Sequence, residues 1–127
     1  MQMLQTLVES GREAQRTGSW DEAVAHFETA LTLLPAAGDV QARAELLRWV
    51  GTVHAERGEL DDASSAFHAS RIAAECAGAP VDEAAAHVCL AKVEVLRGNM
   101  EGAADLFLRA RKISERVGHD RLVPQLD

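Results

Sequence analysis

The chain has 127 residues, 47% of them hydrophobic and 26% charged, with a formal net charge of −7, which is the balance of one soluble globular domain. That acidic excess argues against a general affinity for nucleic-acid phosphate, which needs a basic surface that releases counterions. No stretch approaches the roughly 18 apolar residues that a membrane helix requires, so neither nucleic acid nor membrane is expected as a partner.

The opening MQMLQTLVES lacks a basic head followed by an apolar run, and a cytoplasmic location is expected. Arginine outnumbers lysine eleven to two and alanine is abundant, a usage that points to a G+C-rich coding genome.

In chain order, the first periodic stretch carries Leu4, Leu7, Gly11 and Ala14 on one face and stops at Gly18. Ser19 stands where a cap for the next helix belongs, and Glu22 three residues on completes a capping box. The second helix turns Ala23, Phe27, Ala30, Leu31 and Leu34 inward and ends at Pro35. A second pair of helices runs from about Val40 to Ala77 and stops at Gly78; a third runs from about Val81 to Val117 and stops at Gly118. Two-residue alternation of β-branched residues is lacking, so six antiparallel helices and an all-α fold are expected.

The three pairs repeat in register. Gly18, Gly58 and Gly98 are followed by Ala23, Ala63 and Ala103, by the chain's three phenylalanines Phe27, Phe67 and Phe107, and by Ala30, Ser70 and Ala110. The small residues have a mechanical purpose: the three alanines let the second helix of each unit approach the first, and Gly11, Gly51 and Ala91 give the first helix a flat spot, with phenylalanine filling the space one turn further on. Cys76 and Cys89 fall in apolar helical stretches and are expected to be buried free thiols.

The pattern G-x-[W/L/M]-x-x-A-x-x-x-F-x-x-[A/S], preceded by a mid-helix Gly or Ala, resembles the tetratricopeptide repeat (TPR) and covers nearly the whole chain. The period here is 40 residues against about 34 in the family, which is similar to the long-repeat relatives in kinesin light chains and MalT-like regulators. Where the family often places aromatics in the first helix, this chain has Leu7 and Ala14, Leu47 and His54, and His87 and Glu94. The resemblance implies a single domain over 1–127, with repeats at about 3–37, 40–78 and 81–118 and a tail at 119–127, stacked as a short right-handed α-solenoid. It also implies that the first helices line a concave groove that binds a protein or peptide.

On that assignment the inner faces carry Gln5, Val8, Arg12 and Gln15; Glu45, Arg48, Thr52 and Ala55; and Ala85, Val88, Lys92 and Val95. Each helix offers one inward cation, and a column of Arg12, Arg48 and Lys92 would draw an acidic guest. Trp49 lies beside this face as a candidate anchor, whereas Trp20 takes the slot of Leu60 and Met100 and is assigned to the core. The groove expected to hold the partner is therefore Val8, Arg12, Gln15, Arg48, Trp49, Thr52, Val88 and Lys92. The slots that hold chaperone tails in some members of the family contain Val8, Arg12, Trp49, Ala85 and Cys89, and only Arg12 matches.

Catalytic patterns are missing: there is no HExxH, no CxxC pair, no GxSxG and no glycine-rich loop after a strand. No enzyme activity, metal or cofactor is expected. The leading reading is a non-catalytic interaction module or adaptor; the alternative is an accessory or regulatory protein, or an enzyme, whose groove holds a small metabolite, with His54, His87 and Glu94 as its polar groups.

Self-association is expected on the last helix. Leu106, Ile113 and Val117 form an apolar stripe with no fourth repeat to cover it. Either the tail covers it with Leu122, Val123 and Leu126, or a second copy does, and the homodimer is the preferred outcome because Pro124 limits the tail to about one helical turn.

Overall fold

A computed structural model of the chain describes the backbone of residues 2–35 and 39–126 and the side chains of residues 3–35 and 39–118. Six helices follow one another: α1 Gln2–Arg16, α2 Trp20–Leu33, α3 Val40–Glu56, α4 Leu60–Ala77, α5 Pro80–Arg97 and α6 Met100–Leu126. The described residues contain no strand, and none of their helices is long and apolar enough to cross a membrane. Each helix packs on its successor, and α3 also touches α5, so three helix-turn-helix units stack in chain order as a short α-solenoid.

The turn inside each unit is as short as a helical hairpin allows. At Gly58 the backbone swings to φ 79, and two hydrogen bonds close the end of α3: Gly58 N–H to Ala55 O at 3.0 Å and Glu59 N–H to His54 O at 2.9 Å. This is the Schellman arrangement, which needs a left-handed residue and so favours glycine. Glu59, the residue that completes it, is already the N-cap of α4, and its carbonyl accepts from Ala63 N–H at 2.9 Å. The turns at Gly18 and Gly98 repeat these bonds with Ser19 and Asn99.

Because the turn dictates the backbone at the cap, the side chain there has little freedom. Asn99 is long enough to accept from Gly102 N–H at 3.1 Å. Ser19 makes no capping bond, and its Oγ lies 3.4 Å from Thr17 Oγ1. The capping box expected of Ser19 and Glu22 is thus not formed: a hydroxyl one bond from Cβ does not reach the amide that Asn99 reaches from the same slot.

Phenylalanine seats directly on glycine. Phe27 and Phe67 are 0% and 3% exposed, and a Cβ placed on Gly11 or Gly51 would lie 2.6 Å from the facing ring. This corrects the expectation that the ring fills space a turn further on; the glycine is the seat itself. From there each ring joins a core shared with the next unit, Phe27 with Leu46, Val50 and Val53, and Phe67 with Leu90 and Val93. The third unit departs, since Ala91 fills the seat and Phe107 is 41% exposed.

Three further expectations change. Gly118 does not end the third unit: it keeps helical geometry within α6, which continues past Pro124 to Leu126, because an interior glycine costs only about 1 kcal/mol and does not break a helix unless its backbone turns left-handed. The stripe of Leu106, Ile113 and Val117 is not the exposed seam expected from the sequence. Ile113 is buried against Ala84 and Ala110, and Leu106 packs on the core of Phe67, Leu90 and Val93. Its phase is that of Ala103 and Ala110, the buried residues of the same helix; Leu122, Val123 and Leu126 lie outside the described side chains. The cysteines are free, with Cys76 exposed at the end of α4 and Cys89 half-buried in α5.

The glycine seat makes a prediction whose sign is diagnostic. At an ordinary helical site Gly→Ala stabilises by about 1 kcal/mol, but Gly51→Ala drives a methyl into the Phe67 ring and should cost about 1–3 kcal/mol net. Urea denaturation measures it, and Phe67→Leu in the Gly51→Ala background should recover part of the loss. A Gly51→Ala protein more stable than the parent would contradict the seat.

Candidate functional site

The first helices of the units stand side by side and are tied by polar contacts. Gln15 of α1 donates to Glu56 of α3 at 2.7 Å. From α3, Gln41 and Arg48 both reach Asp82 of α5, at 3.0 and 3.2 Å. A second set of ties joins units at the hairpin ends: Arg57 to Asp21 at 2.7 Å and Arg97 to Asp61 at 2.6 Å, the same pair one repeat apart. These last are surface pairs, worth about 0–1 kcal/mol each, and they set register more than strength.

Between α1 and α3 lies an open cleft of about 830 Å³, with Trp20 and Trp49 among its walls. Its anchor is a column that rises out of the core. Phe27, fully buried, stacks on Trp49 with ring centroids 6.1 Å apart and planes 22° from parallel, and the Arg12 guanidinium carbon sits 4.7 Å from the centre of the Trp49 ring. A cation over an indole face gains about 0.5–1 kcal/mol when exposed; here it also fixes where the guanidinium points. Arg12 forms no ion pair among the described residues, whereas its neighbour Arg16 pairs with Glu13. Glu9, Glu13 and Glu56 share the cleft, so its charge is mixed, with one uncommitted cation on an aromatic floor.

The expected groove residues are distributed unevenly along this surface. Arg12, Gln15 and Trp49 line the large cleft. Val8 lines a small hollow next to Trp49, between α1 and α3. Thr52 and Lys92 line a third hollow of about 260 Å³ with Cys89, Val93 and Leu96; the Thr52 hydroxyl donates to Arg48 O at 2.9 Å. Val88 is turned toward α6, against Ala84 and Ile113.

Arg48 is not free, since it is half-buried and held by Asp82. The column of three cations therefore reduces to two separated ones, Arg12 and Lys92. Burial pushes the Cys89 thiol above its ordinary range, with Arg48 and Lys92 drawing it down by a smaller amount, so this thiol stays protonated and is no nucleophile at neutral pH.

Trp20 was assigned to the core, yet it packs on the core with one side and walls the cleft with the other. Its signal was present in the repeat: the slot holds leucine and methionine in the other units, and an indole overhangs a seat of that size.

The histidines do not gather. His54 Nδ1 lies 2.8 Å from Glu59 Oε1 across the α3–α4 turn, with Asp62 beside them. Glu94 instead accepts from Asn99 Nδ2 at 2.8 Å, the same turn contact one repeat on. His87 is buried in α5 in the slot of Leu7 and Leu47; its Nδ1 has no hydrogen-bond partner and its Nε2 is 4.0 Å from Glu83. The polar trio proposed for a metabolite, His54, His87 and Glu94, is dispersed over separate turns and a core position.

No protein-family model matches the sequence, and no curated protein matches it. Among solved structures the chain is similar to the crystal structure of MamA, with a TM-score of 0.44 and 14% identity over 91% of this chain and 81% of that one. The three stacked helix pairs make an all-α helical-repeat fold.

His87 supplies a pH test. Burial pushes its imidazole below the ordinary value, opposed by Glu83 and Glu75 and assisted by Arg71 and Arg109. The unfolded chain thus binds the proton more readily, and this histidine's share of stability is whole above about pH 6.5 and declines as pH falls through that value. His87→Leu should remove that decline and, by deleting an unpartnered buried nitrogen, raise stability by about 1 kcal/mol or more. Urea midpoints at about pH 7.5 and 5.5 measure it; equal pH losses in the parent and the variant would contradict the assignment.

Proposed function

We propose that the chain is a non-catalytic interaction module that holds a peptide or protein segment along α1, α3 and α5, with the cleft of Trp20, Arg12 and Trp49 as its anchor. The observation that carries this reading is Arg12, an exposed cation without an ion pair among the described residues, fixed over an indole that is itself braced from behind by a fully buried phenylalanine. Preorganised aromatic and arginine groups are the kind that dominate binding interfaces, because little conformational freedom is lost when the guest arrives.

The guest that fits is a segment with an apolar side chain for the space between the indoles and a neighbouring carboxylate for Arg12. Glu9, Glu13 and Glu56 around the cleft disfavour a uniformly acidic tract and favour one carboxylate in an otherwise neutral or mixed sequence. Lys92, two repeats on from Arg12, offers a second contact for a longer segment. Metabolite binding finds no comparable support, since the cleft is open and its charged lining residues Glu9, Arg12, Glu13 and Arg16 are exposed.

Selection of peptides from a random displayed library on the intact protein tests this. Enriched sequences should pair an apolar residue with an Asp or Glu, and Trp49→Ala and Arg12→Glu should each weaken them by about tenfold or more, equivalent to about 1.4 kcal/mol. Binding should also weaken with salt. Enriched peptides indifferent to both substitutions would exclude this cleft as the site.

A further inference from the structure

The stack treats its two ends differently. Every second helix presents the same outer face: an apolar residue at the start, phenylalanine two turns on, and an acidic residue beside the first. In α2 these are Trp20, Phe27 and Asp21; in α4, Leu60, Phe67 and Asp61; in α6, Met100, Phe107 and Glu101.

The first two faces are covered by the helix that follows, and the covering helices share a pattern. From α3 come Leu46, Val50 and Val53, with Arg57 pairing Asp21; from α5 come Leu90 and Val93, with Arg97 pairing Asp61 and the buried Ala86 in the slot of Leu46. The rule is apolar residues at i, i+4 and i+7 and an arginine at i+11.

The third face is uncovered. Met100 is 62% exposed and Phe107 41%, Leu96 of α5, in the slot of the cleft residue Arg16, is exposed as well, and Glu101 is exposed with no ion pair among the described residues. Because α6 itself runs to Leu126, no helix within residues 2–126 follows it to lie across this face.

We infer that the outer face of α6 is a second docking surface, separate from the groove, whose occupant is an amphipathic helix of another protein bearing apolar residues at i, i+4 and i+7 and an arginine at i+11. The surface continues, by one repeat, two interfaces that the molecule already builds, and Glu101 supplies the matching charge. The first helix of a second copy does not fit the rule: α1 places Thr6, Ser10 and Glu13 in the slots of Leu46, Val50 and Val53, and Thr17 in that of Arg57. The covering slots are thus polar on α1, whereas the outer face of α6 is apolar and exposed.

The test uses the intact protein and a peptide of residues 39–58, held helical by a covalent staple between the exposed positions 41 and 45. Titrated into isotope-labelled protein, it should shift the amides of residues 100–111 saturably, and Phe107→Asp should weaken it at least about tenfold. Arg57→Glu in the peptide should weaken it several-fold, and Glu101→Arg in the protein should restore the loss. Since Phe107 and Glu101 are both exposed, the folded state of each variant is verified by its melting curve. Absence of binding, shifts confined to α2 or α4, or no response to the charge swap would each overturn the inference. So would sedimentation showing a dimer that Phe107→Asp dissociates, because the occupant would then be a second copy.

Discussion

Everything in this fold depends on a ring lying on a glycine. An α-carbon without a methyl lets Phe27 and Phe67 approach the first helix of their own unit to a distance no Cβ would permit, and the ring that reaches so far inward also reaches the next unit. One side chain thereby sets the spacing within a repeat and seeds the core between repeats. The short Schellman turns contribute the complementary constraint, because a hairpin whose closing residue is already the next N-cap has no slack to alter the crossing of its helices.

The same contact explains how the groove is equipped. Phe27 braces Trp49, and Trp49 presents its outer face to Arg12, so a cation at the surface is positioned by packing that begins in the core. In the middle unit the equivalent surface is given over to structure: Arg48, with Gln41, is bound to Asp82 and ties α3 to α5. The uncommitted cation is thus in the first unit, and the polar ties between units centre on the second. The third unit has alanine in the seat and a half-exposed phenylalanine, which leaves its outer face available.

Much of the fold was legible because its signals are local and repeated. The glycines that end helices, the alanines and phenylalanines in register and the lack of strand patterning lead to six helices without knowledge of any contact. What escaped depends on partners distant in sequence or on the angular phase of a helix. The partner of Arg48 is 34 residues away, with several nearer glutamates as rivals. The stripe of Leu106, Ile113 and Val117 was placed outward, although Ala103 and Ala110 on the same face already assigned that phase to the core. Trp20 was read as buried because its repeat equivalents are apolar, when its greater size was the signal that it overhangs. The contact of His54 with Glu59 is fixed by the turn, and Glu94 with Asn99 repeats it.

Native-state hydrogen exchange by helix tests the central role of the seated ring most directly. If intrinsic helix length governed protection, α6, with 27 residues, would exchange slowest. The seated rings predict the reverse: amides of α3 and α4, which flank the Phe67 seat and carry cores on both sides, are the slowest, and those of Met100–Gly118 in α6 are the fastest of the second helices. Protection in α6 equal to or above that of α4 would contradict the account.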